Sequence, residues 1–466
     1  MCPDQHNQIA IMTSKTEAMT PAKATTQYSY KRIWHIAYPI LISLLMEQLI
    51  GMTDTAFLGR VGEVELGASA IAGVYYLIIF MIGFGFSIGA QILIARRNGE
   101  GRQDEIGGIF YHSIGFLLVL ATIACAFSLV FSPHILQGVV TSQAVCDKAV
   151  SYINWRVLGL FFAFTSAVFR AFYVGTTRTK TLTLNSILMV LSNVVFNYIL
   201  VFGNFGCPAL GIAGAAIGST LAEAVSTTFF IIYTARRTDC KRYGLDKLTQ
   251  FSRKTLTGIL KISTWTMIQN FFSISIWFMF FIFIEHLGEH SLAITNIVRS
   301  ISSIPYMIVA AFASTCSSIV SNLIGSGNIG QVWPTIRKHI VITYAVVIPV
   351  VAIISFFPVE TASIYTNIDT IKTGAVHSLW VLCSSYMLTV PALVLFQSVS
   401  GTGNTRRAFM LEFTSTAVYT VFITIVIMHL KADVAYCWFA EHVYSGLLMT
   451  LCFLYLKRGN WSKTKI

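Results

Sequence analysis

Charge is scarce in this chain. Only 11% of its 466 residues are Asp, Glu, Lys or Arg, against about 25% in an ordinary soluble domain, so most of it cannot present a water-facing surface. Acids are scarcer than bases, 20 against 32. No Gly-x-x-x-x-Gly-Lys-[Ser/Thr] segment occurs, which excludes direct drive by ATP at a P-loop. Nine cysteines is an odd number, none shows Cys-x-x-Cys spacing, and Cys125, Cys316, Cys383, Cys437 and Cys452 fall in apolar runs. Neither a disulfide framework nor a zinc site follows. Histidines such as His35, His112, His286 and His442 are scattered toward the ends of apolar runs, without a paired His and Asp cluster. An embedded transferase centre is therefore not expected, and the chain reads as no enzyme. The first 29 residues lack an apolar core behind their lysines, so they read as a polar tail, residues 1–30, expected to be disordered rather than a cleavable signal.

What is abundant is apolar residue, 55% of the chain, with a mean hydropathy of +0.69. A membrane-crossing helix needs about 20 mostly apolar residues, because the bilayer core is about 30 Å thick and backbone polar groups must be satisfied within it. Twelve windows qualify, near 34–57, 67–94, 108–131, 152–174, 182–203, 211–235, 256–284, 291–323, 338–357, 376–399, 407–429 and 434–456. The net charge of +12 follows topology rather than a nucleic-acid partner. Lys15, Lys23, Lys31 and Arg32, the even-numbered loops around Arg96, Arg178, Arg337 and Arg406, the central stretch from Arg236 to Lys254, and the end from Lys457 to Lys465 all fall on one side. Only Arg60, Lys148, Lys372 and Lys431 fall on the other. Such a bias predicts both termini in the cytoplasm of a multi-pass inner-membrane protein. Cys146 and Cys207 share the outer side, where two free thiols are the expected state.

A shift of 226 residues lays the first half of the chain on the second. Gly62-Glu63 falls on Gly288-Glu289, Leu66 on Leu292, Ile71 on Ile297, Gly99 on Gly325, Gly175-Thr176 on Gly401-Thr402 and Thr179 on Thr405. With a slightly smaller shift Ala222-Glu223 falls on Ala440-Glu441. Each half holds six spans, an even number, so the two repeats are parallel about an axis along the membrane normal. The expected fold is all-α: twelve transmembrane helices in two pseudo-symmetric six-helix bundles. An N-lobe spans 31–235, a linker 236–255, a C-lobe 256–457 and a short cytoplasmic tail 458–466. Two such lobes leave a cleft near the midplane and rock to expose it alternately, which predicts a transporter.

Charges at membrane depth cost at least about 2.5–3.5 kcal/mol on insertion scales, so each is a functional candidate. Glu47 and Asp54 lie seven residues apart on one face of the first span. Asn193 and Asn197, at i and i+4 of the fifth, share a face too. A carboxylate with amide oxygens suits a small cation or a proton relay. The competing readings are a solvated helix-end acid and interhelical hydrogen-bonding glue. Glu223, Glu441 and Glu47 are candidates for the substrate cavity, Glu223 and Glu441 being equally readable as acids bonded to neighbouring hydroxyls. Tyr38, with Tyr75, Tyr76, Trp155 and Trp265, is a candidate for stacking on flat cations, the competing reading being packing or an interfacial belt.

The stretch from Pro39 to Gln48, continued by Gly51-Met-Thr-Asp54 as far as Gly62, resembles the first span of multidrug and toxic compound extrusion (MATE) transporters. Arg96-Arg-Asn-Gly-Glu-Gly-Arg102 and Gly401-Thr-Gly-Asn-Thr-Arg406 are similar to their loops after spans two and ten. Asn193-Val-Val-Phe-Asn197 and Gly211-Ile-Ala-Gly-Ala-Ala216 are similar to their spans five and six. The resemblance covers about 31–457. It implies cation-coupled export of small organic compounds, with Asp54, Asn193 and Asn197 as the coupling site for Na⁺ or H⁺, the one place where a metal ion is expected. Neither a further cofactor nor a nucleic-acid partner is implied. The expected partners are the small organic substrate and membrane lipids, and the expected state is a monomer. The family's C-lobe acids, in spans seven and ten, are absent: the matching residue is Ser273, onto which the 226-residue shift carries Glu47, so coupling through the C-lobe is not expected. The alternative is a flippase for lipid-linked oligosaccharides, which would call for several basic residues in the cleft.

Overall fold

The structure is a computed structural model that describes residues 28–458 and Trp461. The expected tail 1–30 lies outside it except for residues 28–30, as does most of 458–466. Among the described residues are twelve helices long and apolar enough to span a membrane, and no strand. They are α1 Tyr30–Leu58, α2 Glu63–Glu100, α3 Gln103–Val139, α4 Gln143–Gly175, α5 Lys180–Phe202 and α6 Ile212–Arg237, then α7 Arg253–Glu285, α8 Glu289–Gly325, α9 Ile329–Phe356, α10 Asp369–Gly401, α11 Thr405–His429 and α12 Val434–Arg458. An even number of spans returns the chain to its starting side, called here the termini side. The segment between α6 and α7 is docked on α3. The Gly107 N–H donates to the Tyr243 carbonyl at 2.7 Å, the Tyr111 hydroxyl to the Leu245 carbonyl at 2.6 Å, and the Ser252 N–H to His112 Nε2 at 2.8 Å. Cys146 and Cys207 are both free thiols.

Apolar side chains bury into two cores. One is built mainly from α2 to α6, the other mainly from α7 to α12. The two halves exchange their first turns. Ile33 and Ile36 of α1 lie in the second core, while Ile259 and Ile262 of α7, their partners under the 226-residue shift, lie in the first. Matching hydrogen bonds hold the exchanged turns: Thr179 Oγ1 donates to the Ile36 carbonyl at 2.8 Å, and Thr405 Oγ1 to the Ile262 carbonyl at 2.9 Å.

The repeat shift also governs how the lobes meet. On the termini side the guanidinium of Arg96 (α2) donates to the Thr402 carbonyl at 2.8 Å, and Asn322 (α8), its repeat partner, donates to the Gly175 carbonyl at 3.0 Å. Asn98 Nδ2 donates to Asn322 Oδ1 at 2.6 Å and Gln91 Nε2 to Ser318 Oγ at 2.9 Å. A Cβ on Gly99 would strike the Asn322 backbone, and one on Gly325 the Arg96 carbonyl. Backbones therefore touch at two symmetric points, the means by which small residues seal helices in lipid. Residues 86–96 of α2 and 311–324 of α8 are almost wholly buried, whereas their far-side halves are only partly so. The lobes are thus packed closely on the termini side and less closely on the other.

This seal yields a prediction. Cysteines replacing Asn98 and Asn322 crosslink readily, because their side chains now meet. Adding Gly99→Val forces the backbones apart and suppresses the crosslink severalfold in a timed oxidation. Undiminished crosslinking would show that the two glycines do not set the contact.

Candidate functional site

α5 and α6 approach closely because α6 offers glycine where α5 bears its amides. A Cβ on Gly218 would collide with Asn197 Oδ1, and one on Gly214 with the Leu200 backbone. Asn193 and Asn197 are thereby fully buried, and both point at α1. Asp54 Oδ1 accepts from Asn193 Nδ2 at 3.2 Å and from Asn197 Nδ2 at 2.5 Å. Its Oδ2 accepts from Ser219 Oγ of α6 at 2.9 Å. The amides also bond each other, Asn197 Nδ2 to Asn193 Oδ1 at 3.2 Å, and Asn193 Nδ2 donates to Ser219 Oγ at 3.1 Å. The three residues singled out in the sequence thus converge, and Ser219, which no motif flags, completes the ring.

Every partner of Asp54 is a neutral donor, an arrangement that suits an ionised carboxylate. Asn197 Oδ1 is buried without a partner. A half-turn of that amide exchanges its NH₂ for its oxygen, converting a donor to the carboxylate into a ligand for a cation or an acceptor for a proton on Asp54.

Glu223 is fastened to Arg156 of α4 by a two-pronged bridge, at 2.6 and 2.9 Å. Arg156 lies over the Tyr76 ring, 3.9 Å from its centre, and the Tyr76 hydroxyl donates to Glu223 at 3.3 Å. Glu47 is half exposed and bridged to Arg170 of α4 at 2.8 Å. These two acids are neutralised in place. Glu441 has no ion-pair or hydrogen-bonding partner for its carboxylate among the described residues and lies within electrostatic reach of Tyr306, Tyr386 and Tyr419. Tyr38 stacks with Trp34 near the start of α1, their ring centres 6.3 Å apart, and Trp34 packs on Phe312 of α8. Tyr75 bonds Ser128, Trp265 lies under Arg406, and Trp155 is exposed.

The C-lobe does contain a buried acid. Glu412 of α11 is almost wholly buried, accepting from Ser273 Oγ at 2.6 Å and from the Tyr444 hydroxyl at 3.5 Å, with Oε2 unpartnered. Spans seven and ten lack the family's acids, as the sequence shows, but the eleventh places a carboxylate against Ser273 that the sequence reading did not single out. The repeat shift was the available signal. It carries Ser186, which donates to Ser43 at 2.8 Å beside Glu47, onto Glu412, and Glu47 onto Ser273. Each lobe has one acid and one serine at this place, with the helices exchanged.

Comparison with known proteins fits this arrangement. The MatE family model matches residues 39–199 and again 266–426. A probable multidrug resistance protein NorM of Aromatoleum aromaticum is 25% identical over 369 residues, 75% of this chain and 80% of that protein. One of the same description from Thermotoga maritima is 23% identical over 450 residues, 94% of each. Among solved structures, a MOP superfamily transporter from Pyrococcus furiosus superposes with a TM-score of 0.85 at 19% identity, over 96% of this chain and 99% of that one. A multidrug resistance MATE family transporter in an outward-facing conformation gives 0.83 at 20% identity, over 94% and 97%. One family model thus fits twice, once in each repeat and together over more than half of the chain, and the chain belongs to the MatE family of multidrug and toxic compound extrusion transporters.

Proposed function

We propose that this protein is a secondary antiporter that exports cationic or amphiphilic organic compounds in exchange for Na⁺ or H⁺, with both termini in the cytoplasm of an inner membrane. The observation that carries this reading is the ring of Asn193, Asn197 and Ser219 around Asp54, a site with one charge and two amide states. The names of the relatives, multidrug resistance proteins, support the substrate class. With Glu47 and Glu223 neutralised by Arg170 and Arg156, the embedded acids without a basic partner are Asp54, Glu412 and Glu441, an excess that favours cations over the anionic head of a lipid-linked sugar.

Coupling follows from the anchoring of α1. Its Asp54 is tied to α5 and α6, while its first turn lies in the C-lobe core beside the termini-side seal. Loading Asp54 with a proton or Na⁺ changes the hydrogen bonds that hold α1 to the N-lobe, and the same helix transmits the change to the contact between lobes. Export requires that the seal open to admit substrate from the cytoplasm and close before the cleft releases it outside.

Three outcomes are expected. Asp54→Asn abolishes gradient-driven efflux yet leaves drug binding within about tenfold, or about 1.4 kcal/mol, and Asn197→Ala weakens efflux less. Wild-type efflux by Asp54→Asn would remove Asp54 from coupling. Ser273→Ala strips the buried Glu412 of its nearest donor and lowers stability by about 1–3 kcal/mol, read as a lower thermal midpoint in detergent, with efflux retained. An unshifted midpoint would contradict the bond to Glu412. Cysteine at Lys247 is labelled only from the cytoplasm and cysteine at Lys372 only from outside, and labelling of the former from outside would invert the proposed orientation.

A further inference from the structure

A cavity of about 570 Å³ opens on the termini side of the N-lobe, where α1, α5 and α6 meet the end of α4. Its wall carries Lys31, Arg32, Arg178, Lys180 and Arg237, with His35 beside them, and among the described residues no Asp or Glu lines it. Among the described residues none of these five cations is in a salt bridge. Arg32 and Arg178 rest instead on the faces of Tyr28 and Tyr243. The hydroxyl of Thr177 adds a donor.

Backbone geometry adds to the side chains. The first residues of α5 line the cavity, and no side chain caps that helix start. The Lys180 and Thr181 N–H groups and the positive dipole end of the helix therefore lie at the same space, the Leu182 N–H being spent on the Thr179 carbonyl. Thr179, at the cap position, spends its hydroxyl on the Ile36 carbonyl. Thr177 is held at φ 58° in the left-handed turn that ends α4, as its repeat partner Gly403, at φ 88°, ends α10.

The other repeat provides an internal control. The 226-residue shift carries Arg178 onto Asn404, which caps α11 by accepting from the Arg407 N–H at 3.3 Å and donates to the Tyr455 hydroxyl at 3.0 Å. The C-lobe closes the equivalent helix start with its own side chain. The N-lobe replaces that cap with an arginine and leaves the donors facing a cavity. An excess of bases on one side of a membrane protein is common, but that rule does not call for an uncapped helix start and five unneutralised cations around one space.

We propose that this cavity is an anion site that takes a phosphate group, supplied by the headgroup of an acidic phospholipid or by a soluble phosphate. Cations at a bilayer surface attract acidic lipids, and basic pockets at helix ends hold their headgroups. A phosphate here would bridge the start of α1 to the ends of α4 and α6, and so hold the first turn of α1 in the position from which it reaches the C-lobe core.

The test uses the full chain in phosphatidylcholine nanodiscs with and without phosphatidylglycerol, reading retained lipid by native mass spectrometry and thermal stability in parallel. Arg178→Gln combined with Arg237→Gln is compared with Arg253→Gln combined with Lys254→Gln, equally basic positions outside the cavity. The wild type and the second pair retain phosphatidylglycerol and gain stability from it, while the first pair loses retention by about tenfold or more. Arg178→Asn, which installs the capping residue of the other lobe, loses the lipid-dependent stabilisation while folding normally. A parallel titration with inorganic phosphate identifies the source. Stabilisation by inorganic phosphate without lipid retention, abolished in the first pair, assigns the site to a soluble phosphate. Equal losses in both pairs, or no preference for phosphatidylglycerol and no response to phosphate, would overturn the proposal.

Discussion

A carboxylate carried on an apolar helix must find partners within the protein, and Asp54 finds all of its partners on two neighbouring helices. Asn193, Asn197 and Ser219 reach it only because α6 offers glycine where it crosses α5, at Gly214 and Gly218. A side chain at either glycine would separate the helices and leave buried amides and a carboxylate unsatisfied, at about 1–3 kcal/mol for each group. The local sequence of α6 is thus tied to a charge on α1. Within the ring Asn197 Oδ1 is left without a partner.

What makes that ring consequential is where α1 begins. Its first turn lies in the core of the other lobe, and α7 makes the reciprocal excursion. Each lobe is therefore built partly from its partner's first helix, so that α1 joins the Asp54 ring to the core beside the seal formed by Arg96, Asn98, Asn322 and the paired glycines. The two-fold relation holds down to single hydrogen bonds, such as Thr179 to Ile36 and Thr405 to Ile262. It breaks at sites of chemical interest. The Asp54 ring has no acidic counterpart in α7, the Glu47 and Ser273 positions exchange acid for serine with Ser186 and Glu412, and Arg178 replaces a capping asparagine.

The span count, the long second and eighth helices and the parallel repeat were legible because hydropathy and a constant shift are one-dimensional signals. Asp54, Asn193 and Asn197 were legible as well, since helical spacing puts each set on one face and the family resemblance joins them. The pairing of Arg156 with Glu223 was not, because it joins α4 to α6 at a distance in sequence that no periodicity encodes. Glu412 is marked by no motif of its own, and only the shift that links Glu47 to Ser273 and Ser186 to Glu412 points to it. The exchange of first turns leaves no trace in composition, since Ile33 and Ile259 read as ordinary apolar residues in either lobe.

Central to this account is that movement of an ion at Asp54 drives export. The most direct measurement is drug flux in proteoliposomes under an imposed Na⁺ gradient and, separately, an imposed pH gradient. The account predicts that at least one gradient drives uphill drug movement, and that an ionophore collapsing that gradient abolishes it. Drug flux that runs only downhill and is indifferent to both gradients would contradict it.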